Sequence, residues 1–98
     1  MKLTFRQSGG FAGLSLGCEI DDADLPRAEA ARLRRLVRQC RLEDAAAPAG
    51  ARDVTTYEIT LETPGGVRRA TFHDLAVPDR VQPLLDFLQR RAGPRPLP

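Results

Sequence analysis

Four short runs in this 98-residue chain alternate apolar and polar side chains, and they come in two pairs, each joined by glycine. In the first pair, Leu3 and Phe5 alternate with Lys2, Thr4 and Arg6, and Leu14, Leu16, Cys18 and Ile20 alternate with Ser15, Gly17 and Glu19. A period of two puts the apolar set on one face of a strand, so each run reads as half-buried β-structure. Between them lie Ser8, Gly9, Gly10, Phe11, Ala12 and Gly13. Glycine takes positive φ without steric penalty, so this segment lets the chain reverse and close a hairpin. Its one large side chain, Phe11, reads in two ways: as a group presented to a partner, or as a lid folded back onto the sheet.

The second pair repeats the plan. Tyr57, Ile59 and Leu61 alternate with Thr56, Glu58, Thr60 and Glu62, and Thr63-Pro64-Gly65-Gly66 supplies the reversal. Proline presets the first turn position and the glycine after it is expected to take the positive φ. The returning run, residues 67–73, has Val67 out of step with Ala70 and Phe72, which predicts a bulge near Arg68 and Arg69.

Each pair is followed by a helical pattern. Asp21, Asp22 and Asp24 precede Leu25-Pro26, acidic residues suited to the positive end of a helix and a proline tolerated in its first turn. The spacing predicts a helix over 26–41, with Leu33, Leu36, Val37 and Cys40 at i, i+3, i+4, i+7 forming one apolar stripe. Residues 42–53 carry no period and read as a mobile connection. A second helix is expected over 79–91, with Asp79 as N-cap, Pro83 near its start, and Val81, Leu84, Leu85 and Leu88 as its stripe. Gly93-Pro94 ends it.

The order ββαββα with one apolar stripe per helix fits an α+β fold, a four-stranded antiparallel sheet with both helices on one face. One domain over residues 1–93 accounts for the pattern, and residues 94–98, rich in proline, read as a frayed tail. A domain of this size holds a small core and little room for a deep substrate cleft. No segment approaches the roughly 20 apolar residues of a membrane span, nor does the N-terminus resemble a signal peptide. The expectation is therefore a cytoplasmic, monomeric protein with no membrane partner. Cys18 and Cys40 both fall on apolar faces and read as small core residues, reduced in that compartment.

Catalytic chemistry has little to work with. His73 is the only histidine, so no paired-histidine zinc motif, Cys-His metal cluster or nucleophile triad with an imidazole to spare can be assembled. The glycines of residues 9–13 lead into a strand rather than a helix, and no dinucleotide fingerprint is present. Neither an enzyme nor a cofactor nor a metal is expected. Arg27, Arg32, Arg34, Arg35, Arg38 and Arg41 crowd the first helix, although the formal net charge is only +2. An arginine-rich helix that binds nucleic acid or another anionic partner is the alternative function. Against it, neither that helix nor the polar sheet face offers aromatics for stacking on single strands.

The opening segment, Lys2-Leu3-Thr4-Phe5-Arg6-Gln7-Ser8-Gly9-Gly10-Phe11-Ala12-Gly13, resembles the start of the emfourin family, small bacterial inhibitors of protealysin-like metalloproteases of the thermolysin type. The likeness continues, in weaker form, through Asp24-Leu25-Pro26, the strand containing Tyr57, and Val81-Gln82-Pro83-Leu84-Leu85. It implies a proteinaceous inhibitor whose partner is a thermolysin-like protease and whose contact is the loop Ser8, Gly9, Gly10, Phe11, Ala12, Gly13. Such enzymes favour a bulky apolar residue just after the scissile bond, which Phe11 would supply. A loop held at both ends by a paired hairpin loses little entropy on docking. Coordination of the protease zinc, through a carboxylate or the Met1 amine, is a second mechanism, and the acidic residues 19–24 a possible secondary contact.

Overall fold

Alternation along the strands and the spacing along the helices meet in a single apolar layer. The computed structural model describes residues 1–9, 15–42 and 55–95. Its elements are β1 (Lys2–Ser8), β2 (Ser15–Asp21), α1 (Arg27–Cys40), β3 (Thr56–Thr63), β4 (Gly66–His73), α2 (Gln82–Gln89) and β5 (Gly93–Arg95). The sheet order is β4-β3-β1-β2-β5, antiparallel throughout. The four strands and two helices follow the order ββαββα read from the sequence.

Register explains the core. Phe5 lies opposite Cys18 on β2 and Ile59 on β3, Leu3 opposite Ile20 and Leu61, and Ile59 opposite Ala70. These side chains share one sheet face and join Leu33, Leu36 and Cys40 of α1 and Leu84, Leu85, Phe87 and Leu88 of α2 in one cluster. Leu3, Phe5, Leu33, Ile59, Phe72, Leu84 and Leu88 are all at or below 1% exposure. Burying side chains of this kind is worth about 1.5–3 kcal/mol each, so the shared face is the main reason the two patterns lock together. The opposite sheet face carries Thr4, Arg6, Glu19, Glu58 and Thr60 around a shallow depression of about 340 Å³.

Neither cysteine is in a disulfide and both are buried, as their apolar positions require. The Cys18 thiol donates to the Leu88 carbonyl at 3.7 Å. Burial pushes the Cys40 thiol above its ordinary pKa, which makes it a packing group rather than a nucleophile. Between the helices, Phe87 of α2 lies beneath the Arg91 guanidinium, 4.0 Å from the ring centre, with Arg32 of α1 at 6.0 Å. Arg91 also donates to Glu29 at 2.9 Å, so charged residues stitch α1 to α2 above their apolar contact.

Local readings are corrected at six places. The β3–β4 register runs unbroken from Thr63↔Gly66 to Thr56↔His73, so there is no bulge at Arg68 or Arg69. Val67 is out of step because it faces outward, 61% exposed, while Arg68 shares the inner parity of Ala70 and Phe72. In the turn, the positive φ falls on Gly66 (140°) rather than Gly65, whose N–H is held by the Thr63 hydroxyl at 3.2 Å. The acidic residues do not cap α1: Asp22–Asp24 form a separate 3-10 turn, with the Asp21 carboxylate accepting from Ala23 N–H at 2.9 Å, and Pro26 enters α1 without a side-chain cap.

Asp79 does not cap α2 either. It sits in the preceding turn, where its carbonyl accepts from Gln82 N–H at 3.3 Å, and the helix starts at Gln82. The tail reading fails at its beginning, since Gly93–Arg95 pair with β2, Gly17↔Gly93 through Ser15↔Arg95. A proline is compatible with that place because an edge strand has one side on which no ladder donor is required. Finally, Leu42, assigned to the connection, is buried at 7% exposure and belongs to the core, whereas residues 43–54 lie outside the described residues.

Candidate functional site

The six residues singled out as the contact loop begin at the end of the sheet's central strand. β1 is paired on both sides, with β2 through Gln7↔Leu16 and with β3 through Ser8↔Thr56. Ser8 is therefore still a strand residue. Gly9 follows with φ 97°, a left-handed conformation that strains any residue bearing a Cβ and turns the chain out of the sheet. Gly10, Phe11, Ala12 and Gly13 lie outside the described residues. The chain re-enters β2 at Ser15, which is 3% exposed and whose hydroxyl is buried without a partner among the described residues.

The flanks of this hairpin are tied to the rest of the domain. Gln7 accepts a hydrogen bond from the Gln89 side chain of α2 at 3.2 Å. Tyr57, opposite Gln7 on β3, stacks on Phe5 at 6.4 Å between ring centres with the planes 17° apart. Desolvation by its surroundings raises the Tyr57 pKa, and the nearby Asp74 carboxylate adds to that. Asp74 N–H in turn donates to the Thr55 carbonyl at 3.0 Å, which closes the same end of β3 and β4. The loop thus springs from strands tied to α2 and to the end of β4.

The other groups considered at the sequence level fall elsewhere. The Met1 ammonium, one of the two candidate zinc ligands, is held by the Asp22 carboxylate at 3.1 Å, and the second Asp22 oxygen accepts from Arg34 Nε at 2.8 Å. Both lie at the end of β1 opposite the hairpin. The Arg34 hydrogen bond, then the ammonium, hold the Asp22 carboxyl below the usual carboxylate range. His73 closes β4, and its Nδ1 is buried without a hydrogen-bond partner among the described residues. Among the described residues, no three histidine, cysteine or carboxylate side chains are grouped to hold a metal ion. No described helix is long and apolar enough to cross a membrane.

The arginine helix is less uniform than its sequence. Arg34 is committed to Asp22 and Arg32 lies near Phe87, while Arg38 and Arg41 stand at the C-terminal end of α1 beside the β3–β4 turn. Sequence reasoning missed what lies beside them. β4 is an edge strand, and nothing in an alternating run announces whether it will have one neighbour or two.

Comparison with the curated proteins and with the solved structures finds no significant match. One family model does match, Emfourin, over residues 5–89. That span begins in the middle of β1 and ends with α2, so it takes in both hairpins and both helices. The chain belongs to the Emfourin family, the inhibitor family that its opening segment resembles.

Proposed function

We propose that this protein inhibits a thermolysin-like zinc metalloprotease and that it does so by seating the loop of residues 8–13 in the active-site cleft. One observation carries the reading beyond family membership: the loop leaves from β1, the central strand of the five, and its first residue past the sheet is Gly9 at φ 97°. A protease must draw a substrate into extended geometry and distort it at the scissile bond. A segment whose two stems are clamped in a five-stranded sheet has less conformational freedom to lose on docking than a free peptide. Phe11 is the side chain suited to the apolar pocket that follows the scissile bond. Occlusion of the cleft by this side chain needs no ligand to the zinc, which agrees with the engagement of the Met1 ammonium by Asp22.

The test is inhibition of a thermolysin-like protease, followed as hydrolysis of a fluorogenic peptide, by the wild-type protein and by Phe11→Ala. Burial of an aromatic anchor at the centre of an interface commonly accounts for 2 kcal/mol or more. Phe11→Ala should therefore weaken inhibition by roughly 10- to 150-fold, with a change in folding stability below about 1 kcal/mol. If the variant instead melts markedly lower and inhibits as well as wild type, Phe11 is a lid on the sheet and the loop is not the contact. An inactive wild-type protein at micromolar concentration would remove the inhibitory reading for that protease class.

A further inference from the structure

At the opposite end of the strands, about 20 Å from the hairpin at 3.3–3.4 Å per strand residue, the C-terminal end of α1 and the β3–β4 turn enclose a groove of about 580 Å³. Its floor is apolar, formed by Val37, Leu42 and Leu61, and its rim carries Arg38, Arg41 and Arg68. All three arginines are exposed, and among the described residues none has an ion pair or a side-chain hydrogen bond. The chain leaves α1 at Arg41 with φ 49°, and Arg80 Nε donates to the Cys40 carbonyl at 2.9 Å. That bond satisfies one carbonyl at the negative end of the helix, which would otherwise oppose an anion there. Beside the groove runs β4, whose outer edge has no partner strand among the described residues.

We infer that the β4 edge and this groove together form a docking surface for an extended acidic segment of another polypeptide. An edge strand offers backbone donors and acceptors at the strand repeat, and an added strand satisfies them while its alternate side chains point to the two faces. On the inner face they meet Arg68, Arg38 and Arg41 around the apolar floor; on the outer face they meet Arg69 beside Val67. Carboxylates at those positions match the charge, and small apolar residues match the floor. A second copy of this chain is the poorer occupant, because antiparallel pairing of β4 with itself sets the Arg68 and Arg69 side chains of the two copies against each other. Nucleic acid is poorer too, since the groove contains no aromatic side chain on which a base could stack. The surface is remote from the hairpin, so its failure and the failure of the inhibitory reading are separate results.

The probe is a short fluorescein-labelled peptide of alternating glutamate and valine, titrated at low salt into the full ¹⁵N-labelled chain, with a lysine–valine peptide as control. Binding should shift the amide resonances of residues 66–70 and the Nε signals of Arg38 and Arg41. It should weaken as salt rises, and the lysine peptide should not bind. Replacing Arg38, Arg41 and Arg68 together by Gln should weaken binding about tenfold or more, and by Glu further. The Gln set keeps the test valid if charge reversal unfolds the protein. Any of four results overturns the inference: no shift at millimolar peptide; shifts confined to other strands; equal affinity for an oligothymidylate of the same charge; or a dimer in sedimentation whose dissociation is needed for binding. A fifth would reassign the groove to the chain itself, namely a tenfold gain in peptide affinity when Glu43→Gln and Asp44→Asn are made together.

Discussion

The two hairpins carry the same kind of sequence signal and end in different situations. β1 and β2 are joined by a long glycine-rich connection, and β1 becomes the centre of the sheet, paired with both β2 and β3. β3 and β4 are joined by a tight turn over Pro64 and Gly65, and β4 becomes an edge. One hairpin therefore holds its loop at the end of a strand paired on both sides, and the other ends in a strand with no second partner strand among the described residues. A protein of this size has few rigid places from which to display a segment, and the central strand is the best of them. The edge is where a segment from outside can be received.

Predictions follow from the contrast in order of size. Phe5 of β1 is 1% exposed and Val67 of β4 is 61% exposed. Phe5→Ala should cost about 3–5 kcal/mol, the range for removing a buried aromatic, and Val67→Ala less than about 0.5 kcal/mol, both read from urea unfolding. Should Val67→Ala approach the cost of Phe5→Ala, the first half of β4 is covered in solution and the contrast between centre and edge fails.

The turn of the second hairpin gives a smaller and sharper pair. Gly66 has φ 140° with no atom within 4 Å of where a Cβ would stand, whereas Gly65 has ordinary φ and would meet only the Thr63 hydroxyl at 3.7 Å. Gly66→Ala should destabilise by about 1–2 kcal/mol through backbone strain alone, and Gly65→Ala should lie within about 0.5 kcal/mol of wild type. Equal costs would mean that space, rather than conformation, governs the turn.

The smallest effect is at the far end of β1, where Asp22 binds the Met1 ammonium and Arg34, and where Asp22 N–H also donates to the Met1 carbonyl at 3.1 Å. The Asp22 carboxyl has a lowered pKa in the folded protein, first through Arg34 and then through the ammonium. A depressed pKa means that the folded state favours the ionised form. Its contribution to stability is full above the unfolded carboxylate value, near 4, and is lost as pH falls through the lower folded value. Asp22→Asn should accordingly melt below wild type at pH 7, and the two melting curves should converge in acid below the folded pKa of Asp22. A gap that persists unchanged in acid would place the effect in packing rather than charge.

How much of this was legible beforehand differs between the elements. The strands, the two helical stripes and the shared core face follow from periodicities of 2 and 3.6, because burial on one face selects residue type position by position. Leu3, Phe5, Ile59, Leu84 and Leu88 could be placed from spacing alone. The loop of residues 8–13 was also legible as a reversal, since glycine is required where φ turns positive, and Gly9 does so. Helix entrances were not. Asp22 and Asp79 look like caps by composition, yet Asp22 is drawn to Arg34 and the chain start, partners distant in sequence, and Asp79 is left in the preceding turn because the helix begins only at Gln82.

The sequence by itself determined most of the core, Leu42 and Phe87 excepted, the count and order of the four main strands, and the family to which the chain belongs. Tertiary structure alone decided which strand is central, which is an edge, and that Gly93–Arg95 close the side of β2 as β5. It also decided which arginines of the first helix engage other groups of the chain, Arg34 with Asp22 and Arg32 over Phe87. The physical reason is that alternation records only whether a side chain is buried, a property local to each residue, whereas strand neighbours and ion pairs are choices among partners distant along the chain, which only the folded arrangement brings within reach.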